Sequence, residues 1–203
     1  MVNSVPEAFV FMKVVHQLGM SPEDILKQKQ VELGRVGETF WGYGPGPLHP
    51  TGQVRPFARE WGKRQGSIHV LMETTNTKFD SDNPPASEYS LSDKEDWKRQ
   101  SLPAGILVTG KYALVLDEIR QLDQPFDLDL RQYKVGIGDK KGTNATQYLA
   151  FQGMKQITGL KKGQGKGCLV KIEQTYYGPD APKAVVPITY QARLKYPYAV
   201  FLR

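Results

Sequence analysis

The chain has 203 residues, 39% hydrophobic and 10% aromatic, with a mean hydropathy of −0.47 and a net charge of +6. That length suits one large domain with a core that needs no staples, and the composition excludes a disordered chain; no apolar run approaches the roughly 20 residues of a membrane span. Cys168 is the single cysteine, which excludes an intrachain disulfide and a cysteine-rich zinc cluster.

In chain order, MVNSVPEAFVFMKVV has no basic residue ahead of its apolar run and no small-residue cleavage site. It does not read as a secretory signal, and a cytoplasmic protein is expected. EAFVFMKVV (7–15) is rich in β-branched and aromatic residues and predicts a first strand. Ser21 as N-cap, Pro22 behind it and Asp24 three residues after the cap predict a helix of about ten residues. The stretch GETFWGYGPGPLHP (37–50) then sets Phe40, Trp41 and Tyr43 among glycines and prolines. In an extended backbone Trp41 and Tyr43 share a face and Phe40 takes the other. Two readings are open: Trp41 and Tyr43 wall a cleft that Gly42 and Gly44 let a ligand approach, or all three aromatics seal one end of the core. His49 is either a polar contact at the loop's tip or an exposed histidine without function.

VRPFAREWGKRQG (54–66) predicts a second helix with Phe57 and Trp61 on one face. SIHVLMETT (67–75) predicts a strand with Ser67, His69, Leu71, Glu73 and Thr75 on one side and Ile68, Val70 and Met72 on the core side. Ser67, His69 and Glu73 are the residue types of a nucleophile, base and acid. Adjacent same-face positions rarely give the required Ser–His geometry, however, and Glu73 lies about 13 Å along the strand from His69. A polar strand face beside a cleft, with His69, Glu73 and Thr75 contacting base edges, and a plain solvent face remain as readings. Residues 76–100 have loop composition. AGILVTGKYALVLDEI (104–119) predicts one long core strand, or two joined at Gly110. KVGIG, CLVKIEQTYY, AVVPITY and YPYAVFLR predict further strands, with Pro187 and Pro197 at edges or strand ends.

The strand, capped helix, GETFWGYG, RQGSIHVLMETT and AGILVTGKYALVLDEI, in that order, resemble the PUA-like superfamily, in particular its EVE and ASCH branches, over roughly residues 7–125. In that family a G-D-x-hydrophobic strand precedes a G-I-x-G-x-hydrophobic strand. Here Gly66-Ser67-Ile68 stand for the first, and Gly105-Ile106 with Gly110-Lys111-Tyr112-Ala113 for the second. Ser67 replaces the customary acidic residue, and of the ASCH pattern G-x-K-x-x-E-x-R the stretch QVELGRVG offers only Glu32 and Arg35. The resemblance implies a small pseudo-barrel whose cleft receives RNA or a flipped, modified base between aromatic side chains.

Charge is unevenly spread. Residues 1–129 hold 14 Lys and Arg against 18 Asp and Glu, a balance of −4, and residues 130–203 hold 13 against 3, a balance of +10. Such asymmetry suits a surface for phosphates or another acidic partner. VGIGDKKGTN lacks the spacing of a P-loop or a dinucleotide fingerprint, and reads as a turn whose Lys140, Lys141, Thr143 and Asn144 offer side chains to a phosphate. TGLKKGQGKGC (158–168) reads as a flexible turn presenting Lys161, Lys162 and Lys166, with Tyr176 and Tyr177 just beyond. His16, His49 and His69 have no metal-ligand spacing, and neither a metal nor another cofactor is expected.

The expected protein is α+β but mainly β. It is a single domain: a PUA-like pseudo-barrel over about 7–125 with a few peripheral helices, extended by a basic β segment over about 130–203. The expected function is non-enzymatic binding of nucleic acid or a nucleotide, with no membrane partner. The ligand contacts are Trp41, Tyr43, His69, Glu73 and Thr75, and the phosphate contacts are Lys140, Lys141, Lys161, Lys162 and Lys166. The alternatives are a small inhibitor or adaptor that docks on a protein, and a nucleic-acid hydrolase using His69 and Glu73.

Overall fold

The computed structural model describes residues 5–44, 48–78, 83–91, 99–138, 140–146, 157–165 and 184–203. Lys166, Cys168, Tyr176, Tyr177 and the strand expected over 168–177 lie outside them. The protein is mainly β. Strand β1 (Ala8–His16) leads into helix α1 (Pro22–Val36). Ser21 Oγ accepts from the Asp24 N–H at 3.2 Å, and Asp24 Oδ2 accepts from the Ser21 N–H at 3.3 Å, so both ends of the capping box are made. The helix runs for 15 residues rather than about ten, until Gly37 takes a left-handed φ of 75° and its N–H donates to Leu33 O.

Strand β2 (Thr39–Tyr43), a π-helical turn at Pro50–Val54, helix α2 (Arg55–Gln65) and strand β3 (His69–Lys78) follow. Strands β4 (Glu88–Ser90), β5 (Gln100–Ser101), β6 (Tyr112–Asp129), β7 (Tyr133–Val135), β8 (Ile157–Lys162) and β9 (Val185–Leu202) complete the described sheet. Its order is β2-β6-β9-β3-β1-β8-β7, with β4 on β9 and β5 on β4. The sheet is mixed: β1 and β3 are parallel, which requires a crossover, and the segment carrying α1 and α2 makes it. Among the described residues no helix is long and apolar enough to cross a membrane.

Alternate residues of β1 and β3 enter different cores. Val10, Met12, Val70 and Met72 pack with Leu26 of α1 and with Phe57, Ala58 and Trp61 of α2. Phe9, Phe11 and Leu71 pack with Leu160, Val186 and Ile188. Leu71, expected on a polar face, is therefore core. A third cluster at the β2 end joins Phe40 to Val115, Val200, Leu202 and Val108.

Four strand expectations are corrected. Strand β6 begins at Tyr112 rather than at 104, because side chains of α1 take the backbone groups that a ladder would use. Leu107 N–H donates to Glu32 Oε1 at 3.2 Å, Lys29 Nζ donates to Leu107 O at 2.7 Å, and Arg35 Nη2 donates to Ala104 O at 3.0 Å. The stretch 76–100 contains the end of β3 and all of β4. Lys161 and Lys162 lie on β8, paired with β1 and β7, and not on a flexible turn. AVVPITY and YPYAVFLR belong to one strand of 18 residues. Pro187 faces Asp127 of β6 at a level where β3 no longer pairs with β9, so its missing N–H costs no ladder bond on that side.

Pro197 sits in a break of the ladder. Leu114 pairs with Ala199 and Leu116 with Leu194, so Val115 alone lies opposite residues 195–198. At the same level Leu116 pairs with Leu194 and Glu118 with Arg193, which leaves Asp117 as an extra residue on β6. Bulges of this kind re-aim side chains out of the pleat.

Candidate functional site

Where the two bulges face the carboxyl end of α2, a cleft of about 560 Å3 opens, within the range of small-ligand sites. Strand β9 supplies Arg193, Lys195, Tyr196 and Tyr198, and α2 supplies Arg59 and Lys63. Tyr196 is 51% exposed, while Tyr198 packs on the first core. Their ring centroids are 5.7 Å apart at 84°, so the rings make a corner. Tyr198 has φ of +70°, a left-handed conformation that costs a residue with a side chain about 1 kcal/mol or more.

The cations of the cleft fall into two kinds. Arg193 Nε lies 2.8 Å from Asp117 and its Nη1 3.3 Å from Glu118, and Lys195 Nζ lies 2.8 Å from Glu38. Arg59 and Lys63, one helical turn apart and exposed, have no acidic partner among the described residues. Lys63 in the last turn of α2 also suits the negative end of the helix dipole. That interaction does not extend to Arg59, which sits a turn earlier.

Ser67 reaches the cleft as well, and behind it stands His69. Ser67 Oγ is 3.2 Å from His69 Nε2, and Gln191 Nε2 is 2.7 Å from His69 Nδ1. The Ser–His contact is thus made although the two residues are adjacent on one face of the strand. The third place is taken by the amide of Gln191, and Glu73 instead lies opposite Lys13 in the β1–β3 register. Burial holds the His69 pKa below its usual value, with Arg193 and Arg120 lowering it further while Glu118 and the Ala192 carbonyl oppose them. A histidine lowered on folding contributes stability that is full above about pH 6.5, its unfolded value, and is lost as pH falls through the folded one. Urea denaturation at pH 7.5 and pH 5 is expected to show a smaller loss on acidification in His69→Gln than in the wild type. An equal loss in both would show that His69 is not the group responsible.

The remaining expected site residues are scattered. None of Trp41, Tyr43, His69, Glu73 and Thr75 lines the cleft. Tyr43 donates its hydroxyl to Leu48 O at 2.8 Å and packs against Tyr112, and burial pushes its pKa up. It packs against the first core and does not line this cleft, which favours the core-sealing reading of Tyr43. Trp41 is half-buried and borders a separate notch of about 60 Å3 with Leu18, Met20 and Leu107. A Cβ on Gly42 would lie 1.8 Å from Thr109 O, so this glycine admits the chain's own backbone and not a ligand. His49 is edge-on to Tyr112 and Phe201 rather than at a loop tip. Burial lowers the pKa of Lys13, and Glu73 opposes the shift. Thr75 continues that face, half-buried.

Other basic residues of the last third form a second group on different elements. Lys134 lies opposite Lys161 across β7 and β8, and Lys162 follows, exposed. Lys140 and Lys141 sit exposed on the turn after β7. The Thr143 hydroxyl donates to Lys140 O within the turn, and buried Asn144 accepts from Gly165 N–H, which ties the turn to the chain after β8.

Sequence reasoning missed Arg59, Lys63, Arg193, Lys195, Tyr196 and Tyr198. Two signals were present: the four-residue spacing of Arg59 and Lys63 on α2, and the alternation of Arg193 and Lys195 about the core residue Leu194. What gathers them is the pair of bulges, which has no sequence signature. Among the described residues no group of three or more His, Cys, Asp and Glu is placed to hold a metal ion. Neither a protein-family model, nor a curated protein, nor a solved structure matches this chain.

Proposed function

We propose that the protein binds nucleic acid or a nucleotide without transforming it, on a PUA-like pseudo-barrel in which β9 joins the strands of residues 7–125. The observation that carries the binding reading is the cleft, in which Arg59 and Lys63 stand beside Tyr196 and Tyr198. Cations next to accessible aromatic rings are the composition of surfaces that hold a phosphate backbone and stack a base. The concave shape and the size favour an unpaired nucleotide over a duplex. Strand β1, helix α1, β2, β3 and β6 occur in the order on which the PUA-like resemblance rests, with α2 between β2 and β3 and with β4 and β5 between β3 and β6.

Fluorescence anisotropy with labelled single-stranded and duplex RNA and DNA, at a series of salt concentrations, tests the reading. Wild-type affinity is expected to fall steeply with salt, with a preference for single strands. Arg59→Ala/Lys63→Ala is expected to flatten the slope by about 1.4 units of log K per log salt, roughly 0.7 for each phosphate contact on a single strand. Lys161→Ala/Lys162→Ala tests the second basic group in the same way. An unchanged slope in both would place the footprint elsewhere, and no oligonucleotide binding at low salt would favour a protein partner.

A further inference from the structure

Beside the Ala192 carbonyl, which also faces the His69 ring as an acceptor, the side-chain hydrogen bonds around His69 run in one direction and end at Ser67 in the cleft. Arg120 Nη2 has only protons to give, and it donates to Gln191 Oε1 at 3.5 Å. Gln191 Nε2, also a donor only, then faces His69 Nδ1 at 2.7 Å. Nδ1 therefore accepts, and the proton of the neutral ring sits on Nε2. That N–H donates to Ser67 Oγ at 3.2 Å. With its oxygen engaged as an acceptor, the Ser67 hydroxyl is left with a proton to give, on the wall of the cleft that also carries Arg59 and Lys63. Arginine and lysine likewise only donate. A wall with three donors is matched by a group that only accepts and carries negative charge, which is a phosphate.

We propose that the Ser67 corner of the cleft is a phosphate subsite, with Ser67, Lys63 and Arg59 as donors and with His69 and Gln191 as positioning residues. It rests on the nucleotide-binding reading and orients the ligand within it, phosphate toward α2 and base toward Tyr196 and Tyr198. Two features oppose an anion here. The carboxyl end of α2 brings about half a negative charge, and Asp117 brings another. Arg193 already holds Asp117 at 2.8 Å, and the two charges of Arg59 and Lys63 outweigh the helix end. The same chain of bonds separates this site from a hydrolytic triad. With Gln191 on Nδ1, His69 gives a proton to Ser67 instead of taking one, so the serine is not turned into a nucleophile.

The test uses the full isotope-labelled chain with three probes: inorganic phosphate, a nucleoside and its 5′-monophosphate. Imidazole 15N shifts of His69 are expected to show the proton on Nε2 in the unliganded protein. Ser67→Ala is expected to weaken inorganic phosphate and the monophosphate about tenfold, the size of one hydrogen bond to a charged group, and to leave the nucleoside unchanged. Gln191→Glu places an acceptor on Nδ1 and is expected to move the ring proton there. It should reproduce the loss for both phosphate probes with Ser67 intact, which a merely structural role would not do. A ring proton on Nδ1 in the wild type overturns the proposal, as does a Ser67→Ala loss that is equal for nucleoside and monophosphate or absent for both. The wider reading fails separately: inorganic phosphate bound at Ser67 with no affinity for nucleotides or oligonucleotides keeps the subsite and removes the nucleic acid. Oligonucleotides and monophosphate bound normally by Ser67→Ala do the reverse.

Discussion

Glu32→Ala is expected to remove about 3–5 kcal/mol of folding stability, the cost of leaving one member of a buried ion pair behind. Glu32 is 2% exposed and is the hub of a small network. Lys29 Nζ donates to Oε2 at 2.9 Å, the Thr39 hydroxyl donates to the same oxygen, and the Leu107 N–H donates to Oε1. Burial lowers the pKa of Lys29, and Glu32 opposes that shift. Without the carboxylate the ammonium keeps only the Leu107 carbonyl as its acceptor among these contacts, and the Leu107 amide loses its partner. Urea denaturation at pH 7 measures the loss, and hydrogen exchange at residues 104–107 should quicken in parallel. Lys29→Met/Glu32→Leu, which removes both charges, is expected to be much less destabilising than Glu32→Ala alone. A single-variant loss below about 1 kcal/mol would mean that the pair is solvated.

The second large effect is expected at Phe40. Its ring is 1% exposed and packs edge-tilted on Tyr89, with centroids 5.1 Å apart. Truncation to alanine should cost about 3–5 kcal/mol, as for other buried aromatics. Trp41, on the other face of β2 and only half-buried, should cost about 1–3 kcal/mol on the same change. Neither variant, once folded, is expected to lose oligonucleotide affinity, since neither side chain reaches the cleft. Thermal denaturation and anisotropy together check this. Reduced affinity in folded Trp41→Ala would move the aromatic contact from Tyr196 and Tyr198 to the notch beside Leu18.

The parts of the fold that were legible carry their determinants locally. The start of α1 is written in Ser21, Pro22 and Asp24, and the strand character of β1 and β3 is written in their β-branched and aromatic residues. Errors arose where a distant segment decides. AGILVTG has the alternation of a strand, yet Lys29, Glu32 and Arg35 take its carbonyls and amide from a helix 69 to 78 residues away. The second half of β6, DQPFDLD, is too polar to be read as a strand, but β9 pairs with it as far as Asp129. ITGLKK looked like a turn because glycine and lysine disfavour strands, whereas Gly159 has Ile137 and Phe57 where a Cβ would sit. For the site, Ser67 and His69 were legible as neighbours on one face, while Gln191 comes from a strand more than 100 residues later and decides which way their proton points.

The bulge at residues 195–198 also bears on how this protein can change. Elsewhere along β9 an inserted or deleted residue would slide the register and carry Ala192 or Val200 from the interior to water. Here the two arms are anchored independently, by Leu194 on Leu116 and by Ala199 on Leu114, and the chain between them makes no ladder with β6. Insertions, deletions and side-chain swaps in that segment would be absorbed without disturbing either arm. Under the proposed binding role, ligand preference would then drift, or be engineered, at a point of the chain where no β6 ladder constrains the sequence.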